Sequence, residues 1–502
     1  MVGEVTVNSK TAPSNEVNIH LYFKNQKENL NLQNIPQSLH NKIHQQLKRH
    51  QFKGEEGEIV FVEDINTTIV IFGRGEKKDD SLIKFRDVLS GLLRILASKH
   101  YHQVSLWLDD KVEDYFQTGK QIALAFFLSN YHFVQFKGEK AKNKVLYLDQ
   151  LNLLTKAVQD KVAAMKQGIS YGRQIAAGIF LARDLVNQPA SHVTPEVLMQ
   201  TAFDIEKNAQ TKNIKVEILD KDECKKLGMG AYLSVAQGSD KEPKFILLHY
   251  LPEKKARKKI CLIGKSLTFD SGGISLKPAL GMEEMKIDMA GGAAVLGVFQ
   301  VLAENKDYFQ DLEVWGVLPA CENMPSGQAV KPGDVVTALN GKTIEVINTD
   351  AEGRLTLADA LAYSEKYLKP DMVIDLATLT GACIIALGKK ITGMLGNNEK
   401  LLTDLEEISR NEGEELWRLP LYKPYLKAME SEIADLKNVG NNGAGGGTLT
   451  AAIFLAEFVE KTPWVHLDIA GSSFNNSPAE GIFAHGGTGW GVMTLLEFLR
   501  KL

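Results

Sequence analysis

Apolar residues recur along this chain in two rhythms that alternate almost from end to end. Val17–Phe23, Glu58–Val62, Thr68–Phe72 and Val104–Leu108 are short runs rich in β-branched and aromatic residues and read as strands. Between them, Leu82, Phe85, Val88, Leu89, Leu92, Leu93 and Leu96 keep the three- and four-residue spacing of an amphipathic helix over Ser81 to Ser98. These elements predict a small α/β unit whose polar stretches, Asn25–Asn34 and Gly73–Asp80, are surface loops. It holds no catalytic constellation, so scaffolding or assembly is its expected role.

A long helical pattern from about Asn152 to Val186 follows, and Asn187-Gln188-Pro189-Ala190-Ser191 breaks it. The division between domains is expected within or beside that helix, with residues 1–165 as a small N-terminal α/β domain and 166–502 as a larger C-terminal one. Thr194 before Pro195 has the residue types of an N-cap and first helical position, opening a helix to about Asn208. Ile214–Leu219 reads as a strand. From Phe245 onward strands (Phe245–Leu251, Lys259–Ile263, Leu312–Leu318, Met372–Leu376, Trp464–Ile469) alternate with helices (Gly291–Ala303, Gly446–Val459, Val492–Arg500). The predicted architecture is α/β, a central mostly parallel sheet with helices on both faces.

Composition changes this picture little. A chain of 502 residues, 44% hydrophobic and 24% charged, is long enough for two or three domains with a sizeable core. Its 58 basic residues against 62 acidic ones leave a net charge of −4, so no global basic field points to nucleic acid or an anionic membrane. Cys224, Cys261, Cys321 and Cys383 are far apart and form no CxxC pair, which suits a reducing compartment. The start, Met1-Val2-Gly3-Glu4-Val5-Thr6-Val7, has no secretory pattern, and the most apolar stretch, Leu376–Leu387, is short of the ~18 residues a membrane span needs. Cytoplasm is the expected location.

The candidate chemistry sits where apolar runs stop. Ile344–Ile347 ends abruptly at Asn348-Thr349-Asp350-Ala351-Glu352-Gly353-Arg354, before the helical pattern Leu355–Ala362. This places two carboxylates at the carboxyl end of a strand of the α/β sheet, where such sheets hold ligands. Ile260–Ile263 likewise runs out into Gly264-Lys265-Ser266-Leu267-Thr268-Phe269-Asp270-Ser271-Gly272-Gly273, with Lys277 and then Asp288 beyond. Two strand ends in one sheet can bring Asp270, Asp288, Asp350 and Glu352 into one pocket. Four acids so placed repel, and unpaired buried carboxylates take up protons unless cations keep them ionised; two divalent ions would match their charge. The competing reading is that acids in loops are simply solvated, and Lys265, Lys277 and Arg354 form ordinary ion pairs.

Asn348 to Leu355, NTDAEGRL, resembles the signature of the cytosolic leucyl aminopeptidases, and Lys265–Lys277 with Asp288 resembles that family's other metal-site segment. The likeness runs through Asp435–Gly440, His466–Gly471 and Gly487–Gly491, covering about Leu185 to the end; before residue 150 it is one of layout alone. The resemblance implies a metal-dependent aminopeptidase with a catalytic C-terminal domain, removing the N-terminal residue, leucine and other apolar residues preferred, from short peptides with a free N-terminus. It implies two divalent metal ions per subunit, zinc or manganese or else magnesium, with Asp270 and Glu352 touching both. Lys265 and Asp288 would complete one site, and Asp350 the other through its carboxylate and backbone carbonyl. A lysine ligand must be neutral, because an ammonium has no lone pair. Lys277 would stabilise the oxyanion, Arg354 would hold a bicarbonate acting as general base, and Met285 would line the pocket for the first side chain. A homohexamer is also implied.

Other motifs carry less. Gly443-Ala444-Gly445-Gly446-Gly447-Thr448 has a phosphate-cradle look but no following GKS or GKT, so a backbone bend into a helix is the better reading. His466, in a strand, and His485, in a glycine-rich loop, are not taken as ligands. Ser266 stands where the resembled family commonly has glycine. A binding protein without activity, and a DNA-binding role through a surface with Lys42, Lys48, Arg49 and Lys53, are the alternatives.

Overall fold

The computed structural model describes residues 2–8, 17–24, 32, 34–65, 67–108, 112–209, 212–305, 307–440 and 445–502. Most of the expected loop Asn25–Asn34, and Gly443 and Ala444 of the glycine-rich run, lie outside the described residues. The chain divides into two compact units, one of 1–176 with 477–484 and one of 177–476 with 485–502.

The first unit is built on six strands: β1 (Glu4–Asn8), β2 (Val17–Tyr22), β3 (Ile59–Glu63), β4 (Thr68–Gly73), β5 (Gln103–Trp107) and β6 (Gln150–Leu154). They lie in the order β1-β6-β5-β2-β4-β3, every neighbour parallel except β3 against β4. The helix expected from Ser81 begins at Leu82, with the Ser81 hydroxyl accepting the Lys84 N–H at 3.1 Å as an N-cap. Helix Tyr115–Ser129 had no sequence expectation, since its stretch from Ile122 to Leu128 is apolar on every side and fully buried. The helical pattern proposed from Asn152 is corrected at its start: Asn152–Leu154 belongs to β6, and the helix begins at Gln159 and ends at Asn187.

The second unit carries β7 (Ile214–Leu219), β8 (Lys244–Tyr250), β9 (Lys258–Gly264), β10 (Ser266–Asp270), β11 (Leu312–Asn323), β12 (Val335–Thr337), β13 (Thr343–Glu345), β14 (Met372–Ala377), β15 (Thr392–Gly396), β16 (Leu416–Arg418), β17 (Leu436–Lys437) and β18 (Trp464–Asp468). The main sheet runs β16-β15-β18-β14-β9-β11-β8-β7, with β10 also pairing β11. Its centre, β18, β14, β9, β11, is parallel; β15 on one side and β8 on the other are antiparallel to it. Strands buried on both faces need near-continuous apolar runs, and Ile260–Ile263, Val373, Ile374 and Leu376 are all fully buried. Met282–Glu304, apolar enough to suggest a membrane span by composition, is mostly buried in the fold, its helix Ala290–Glu304 above all, and Thr194 caps Pro195–Asn208 as expected.

One expectation fails in an informative way. The strand before the acidic turn is not part of the main sheet. β13 is three residues long and lies in a separate sheet of order β12-β13-β17, antiparallel to β12 and parallel to β17. Its burial alternates, as on a half-exposed ribbon. The acidic turn therefore reaches the main sheet's carboxyl edge from the side.

Candidate metal centre

Three parallel strands end together, β9 at Gly264, β14 at Ala377 and β18 at Asp468, while β11 runs on beside β10 to Asn323; the residues at or just past these ends are Lys265, Thr378, Asp468 and Asn323. Lys265 is fixed by its own N–H donating to Leu376 O (2.9 Å), and its Nζ meets Asp288 Oδ1 and Oδ2 (both 2.8 Å), Glu352 Oε1 (2.9 Å) and Thr378 O (2.9 Å). β10 then delivers Asp270, which accepts from Gly272 N–H (2.9 Å) and Asn323 Nδ2 (2.8 Å). Lys277 Nζ closes the opposite side, bridging Asp270 Oδ2 (2.7 Å) and Asp350 Oδ1 (2.5 Å).

Two loops are held face to face to make this possible. The Thr349 hydroxyl donates to Gly272 O (2.6 Å) and accepts from Ser275 N–H (2.8 Å), while Thr349 N–H donates to Ser275 Oγ (3.1 Å). Gly272 sits at φ +86°, and a Cβ there would lie 2.5 Å from Ser275 O and 2.8 Å from the Asp350 carboxylate. Asn438 pins the acidic turn from beneath, accepting from Ile347 N–H (2.9 Å) and donating to Asn348 O (2.6 Å). Helix Gly353–Tyr363 starts at once after Glu352. Asn323 and Thr378 are polar residues of unremarkable spacing that gave no signal beforehand; Thr349 and Asn438 stood out only as members of the Asn348–Leu355 and Asp435–Gly440 stretches of the family resemblance.

All four expected acids are thus brought together. Asp270, Asp288 and Glu352 are buried, and one carboxylate oxygen from each lies within 4.8 Å of the others; Asp350 and Lys277 form the more open side. Burial, with Asp270 beside it, pushes the Glu352 carboxyl up to about 8, and burial pushes Asp288 up to about 6. Burial works against the charge of Lys265, but Asp288, Glu352 and Asp270 outweigh it and raise its pKa. Lys265 is therefore an ammonium in this arrangement, and the neutral amine of a metal ligand requires further positive charge in the cluster. The donor set fits such charge: among the described residues four carboxylates meet two ammonium groups, and Glu352 Oε2 is buried with no hydrogen-bond partner.

Arg354 is buried a step away. Burial lowers its pKa to about 10, one guanidinium nitrogen donates to Asn438 O (2.5 Å), and its Nε has no partner among the described residues. Met285 is half-buried in the 3-10 turn Met282–Ile287, its carbonyl accepting the Asp288 N–H at 3.3 Å. Ser266 is accommodated because Gly292 faces it: its hydroxyl donates to Gly264 O (2.8 Å), and a Cβ on Gly292 would collide with it. His466 is a buried partner of Asp375 (2.6 Å). The glycine run does turn into a helix, with Gly445 and Gly446 at positive φ before Gly447–Ala456. Lys42, part of the alternative basic surface, lies 4.0 Å from Asp64.

A carboxylate cradle beyond the carboxyl ends of parallel strands, with cationic side chains at its rim, defines a class: α/β enzymes built to hold divalent cations. The catalytic-domain model of the cytosol aminopeptidase family matches residues 180–496, and that family's N-terminal-domain model matches 19–140. The chain belongs to the cytosol aminopeptidase family and is a metal-dependent aminopeptidase. It is 41% identical to a probable cytosol aminopeptidase of Thermosynechococcus vestitus, over 93% of this chain and 92% of the relative. A Gloeobacter violaceus relative of the same name is 51% identical over 70% of this chain and 67% of its own length. Among solved structures, a mutant of tomato leucine aminopeptidase superposes with a TM-score of 0.88 at 33% identity, covering 100% of this chain and 97% of that one. The bottromycin maturation enzyme BotP in complex with Mn gives 0.84 at 28%, covering 97% and 99%.

Proposed function

We propose that the protein removes leucine and other apolar residues from the free N-terminus of short peptides, using two divalent cations held by Asp270, Asp288, Asp350, Glu352 and a neutral Lys265. The observation that carries this reading is the orphaned Glu352 Oε2 within a cluster of three buried acids. The chemistry two bound cations supply is a lowered water pKa and a polarised scissile carbonyl. Asp270 and Glu352, central in the cluster, would bridge the pair. Zinc or manganese suits this set, with magnesium also compatible with its oxygen donors, and the BotP relative was solved with Mn.

The remaining groups position and stabilise. Lys277, on the open side, can meet a developing oxyanion. Arg354, with an unused Nε and a buried charge, is suited to a small anion, and a bicarbonate there would provide the general base that neither loop supplies from its own side chains. Met285 offers a flexible, half-buried thioether to the first side chain, and the tomato relative is named a leucine aminopeptidase. A homohexamer in the cytoplasm completes the reading.

The test is to chelate the protein and assay Leu-p-nitroanilide and its N-acetylated analogue while restoring Zn²⁺, Mn²⁺ and Mg²⁺ one at a time. Activity should vanish on chelation, return with metal and be confined to the free amine. Full turnover by the chelated protein, or equal cleavage of the acetylated substrate, would reject the mechanism. Light scattering that finds a monomer as the sole active species would reject the hexamer.

A further inference from the structure

The first unit carries an open sheet edge beside a helix face with two basic residues. β1 is an edge strand: among the described residues it pairs with β6 alone. Its ladder bonds come from alternate residues, with Glu4 N–H donating to Asp149 O (2.9 Å) and Asn8 O accepting from Thr155 N–H (3.3 Å). By the alternation of a parallel ladder, Glu4, Thr6 and Asn8 bond to β6, and the N–H and C=O of Val5 and Val7 face the other way. Along that edge runs a channel of about 620 Å³, within the range of ligand clefts, walled by the strand on one side and by helix Gln159–Asn187 on the other.

The helix wall has a definite chemistry. Lys166, Ile169, Ser170 and Arg173 line the channel at the spacing of one helix face. Lys166 and Arg173 are exposed, and neither makes an ion pair with a described residue. They are two turns apart, ~10.5 Å along the axis. A strand laid in the channel would present a side chain on one face every ~6.7 Å, so acids at alternate positions reach both within the play of the long basic side chains. Glu4 is the one acid in the lining, at the start of the strand.

We propose that this channel binds an extended acidic segment of a partner protein, which adds a strand to β1 through the outward N–H and C=O of Val5 and Val7 and sets its carboxylates against Lys166 and Arg173. The backbone bonds supply affinity with little sequence demand, and the basic pair supplies selection for acids. Such an edge otherwise invites unspecific pairing, and a basic wall beside it discriminates against neutral and cationic strands.

The experiment uses the intact protein and fluorescein-blocked decapeptides, which an aminopeptidase cannot shorten. A peptide alternating valine with aspartate should bind saturably by anisotropy, and one alternating valine with lysine should bind at least tenfold more weakly. N-methylation of one alternate set of amides should abolish binding, and of the other set should not. Two variants separate the contributions: the double variant K166E/R173E removes the basic pair, and Val7→Pro removes an N–H that faces away from β6, so the ladder is retained. Each should weaken the aspartate peptide at least tenfold while Leu-p-nitroanilide hydrolysis is unchanged. Absence of saturable binding, equal binding of the lysine peptide, or indifference of both variants would overturn the proposal. So would sedimentation showing that the edge pairs two copies of this chain and that Val7→Pro separates them.

Discussion

Glu352 and Asp359 stand seven residues apart at the start and in the middle of one buried segment, and their surroundings are opposite. Asp359 accepts the Tyr232 N–H on one oxygen (2.8 Å) and the Leu339 N–H on the other (2.7 Å), tying two neighbouring segments to its helix. Glu352 has Asp270 and Asp288 for neighbours, one oxygen on Lys265 and the other without a partner among the described residues. Burial raises both carboxyls, to about 7 and about 8. The shift alone does not tell them apart. What does is the accounting of lone pairs: an acid whose oxygens are matched by backbone donors is a clamp, and an acid crowded by other acids with an oxygen to spare is a binding device. Glu414 falls with Asp359, since Gly491 N–H, Thr494 N–H and the Thr494 hydroxyl satisfy it at 2.9, 2.8 and 2.6 Å.

The comparison breaks most visibly at Glu352. Glu352→Gln keeps the shape and removes the charge, so kcat/KM on Leu-p-nitroanilide should fall on the order of a thousandfold, the scale felt when one group central to catalysis is lost. The thermal midpoint should move by only a few degrees. Near-normal turnover in metal-replete buffer would put Glu352 among the clamps.

Asp359→Ala should do the reverse. It leaves the Tyr232 and Leu339 N–H groups buried without acceptors, at a cost of roughly 3 kcal/mol. Denaturant unfolding should report that loss, while active-site titration with a tight inhibitor shows turnover per folded molecule close to normal. A variant of normal stability that is catalytically dead would erase the distinction.

How much of this was legible depends on how unusual each local pattern is. Asp350 and Glu352 stood out because two acids, a glycine and an arginine follow an apolar run within seven residues. Lys265 and Asp288 were visible as partners only through the family resemblance, which puts them in one metal site; nothing in a 23-residue separation says by itself that Nζ meets a carboxylate. Asn323 and Thr378 were illegible: each is one polar residue at a strand end, and its role exists only once β11 and β14 lie beside β9. Helix Tyr115–Ser129 escaped because a helix apolar on all sides shows no periodicity. β6 was absorbed into a helical pattern because Leu151, Leu153 and Leu154 fit either rhythm. That residues 477–484 belong with the first unit is a long-range fact with no local trace. Asp359 sits in a clean helical repeat, LADALA, where an acid reads as solvent-facing; its burial is set by Tyr232 and Leu339, 127 and 20 positions away.

The finest test of the clamp assignment is its pH dependence, which can be read at Glu414, in a segment that supplies none of the clustered acids. Burial raises its carboxyl from the usual range to about 7, so between pH ~4.5 and ~7 the folded chain holds a proton that the unfolded chain has released. Stability from this group is then complete below pH ~4.5 and is lost as pH rises through 7, at up to ~1.4 kcal/mol per pH unit for one proton. The acids of the metal centre titrate over part of the same interval, so wild type alone cannot isolate it. Glu414→Gln cannot titrate at that position, and the other groups are common to both chains, so the stability gap between wild type and variant is the quantity to follow. Measured by denaturant unfolding, that gap should be most favourable to wild type near pH 5 and shrink toward pH 8. A gap that stayed level or widened would mean that the three donors hold Glu414 ionised throughout. Burial would then be the weaker term at that clamp, and the contrast with Glu352 would rest on the company of Asp270 and Asp288 rather than on desolvation.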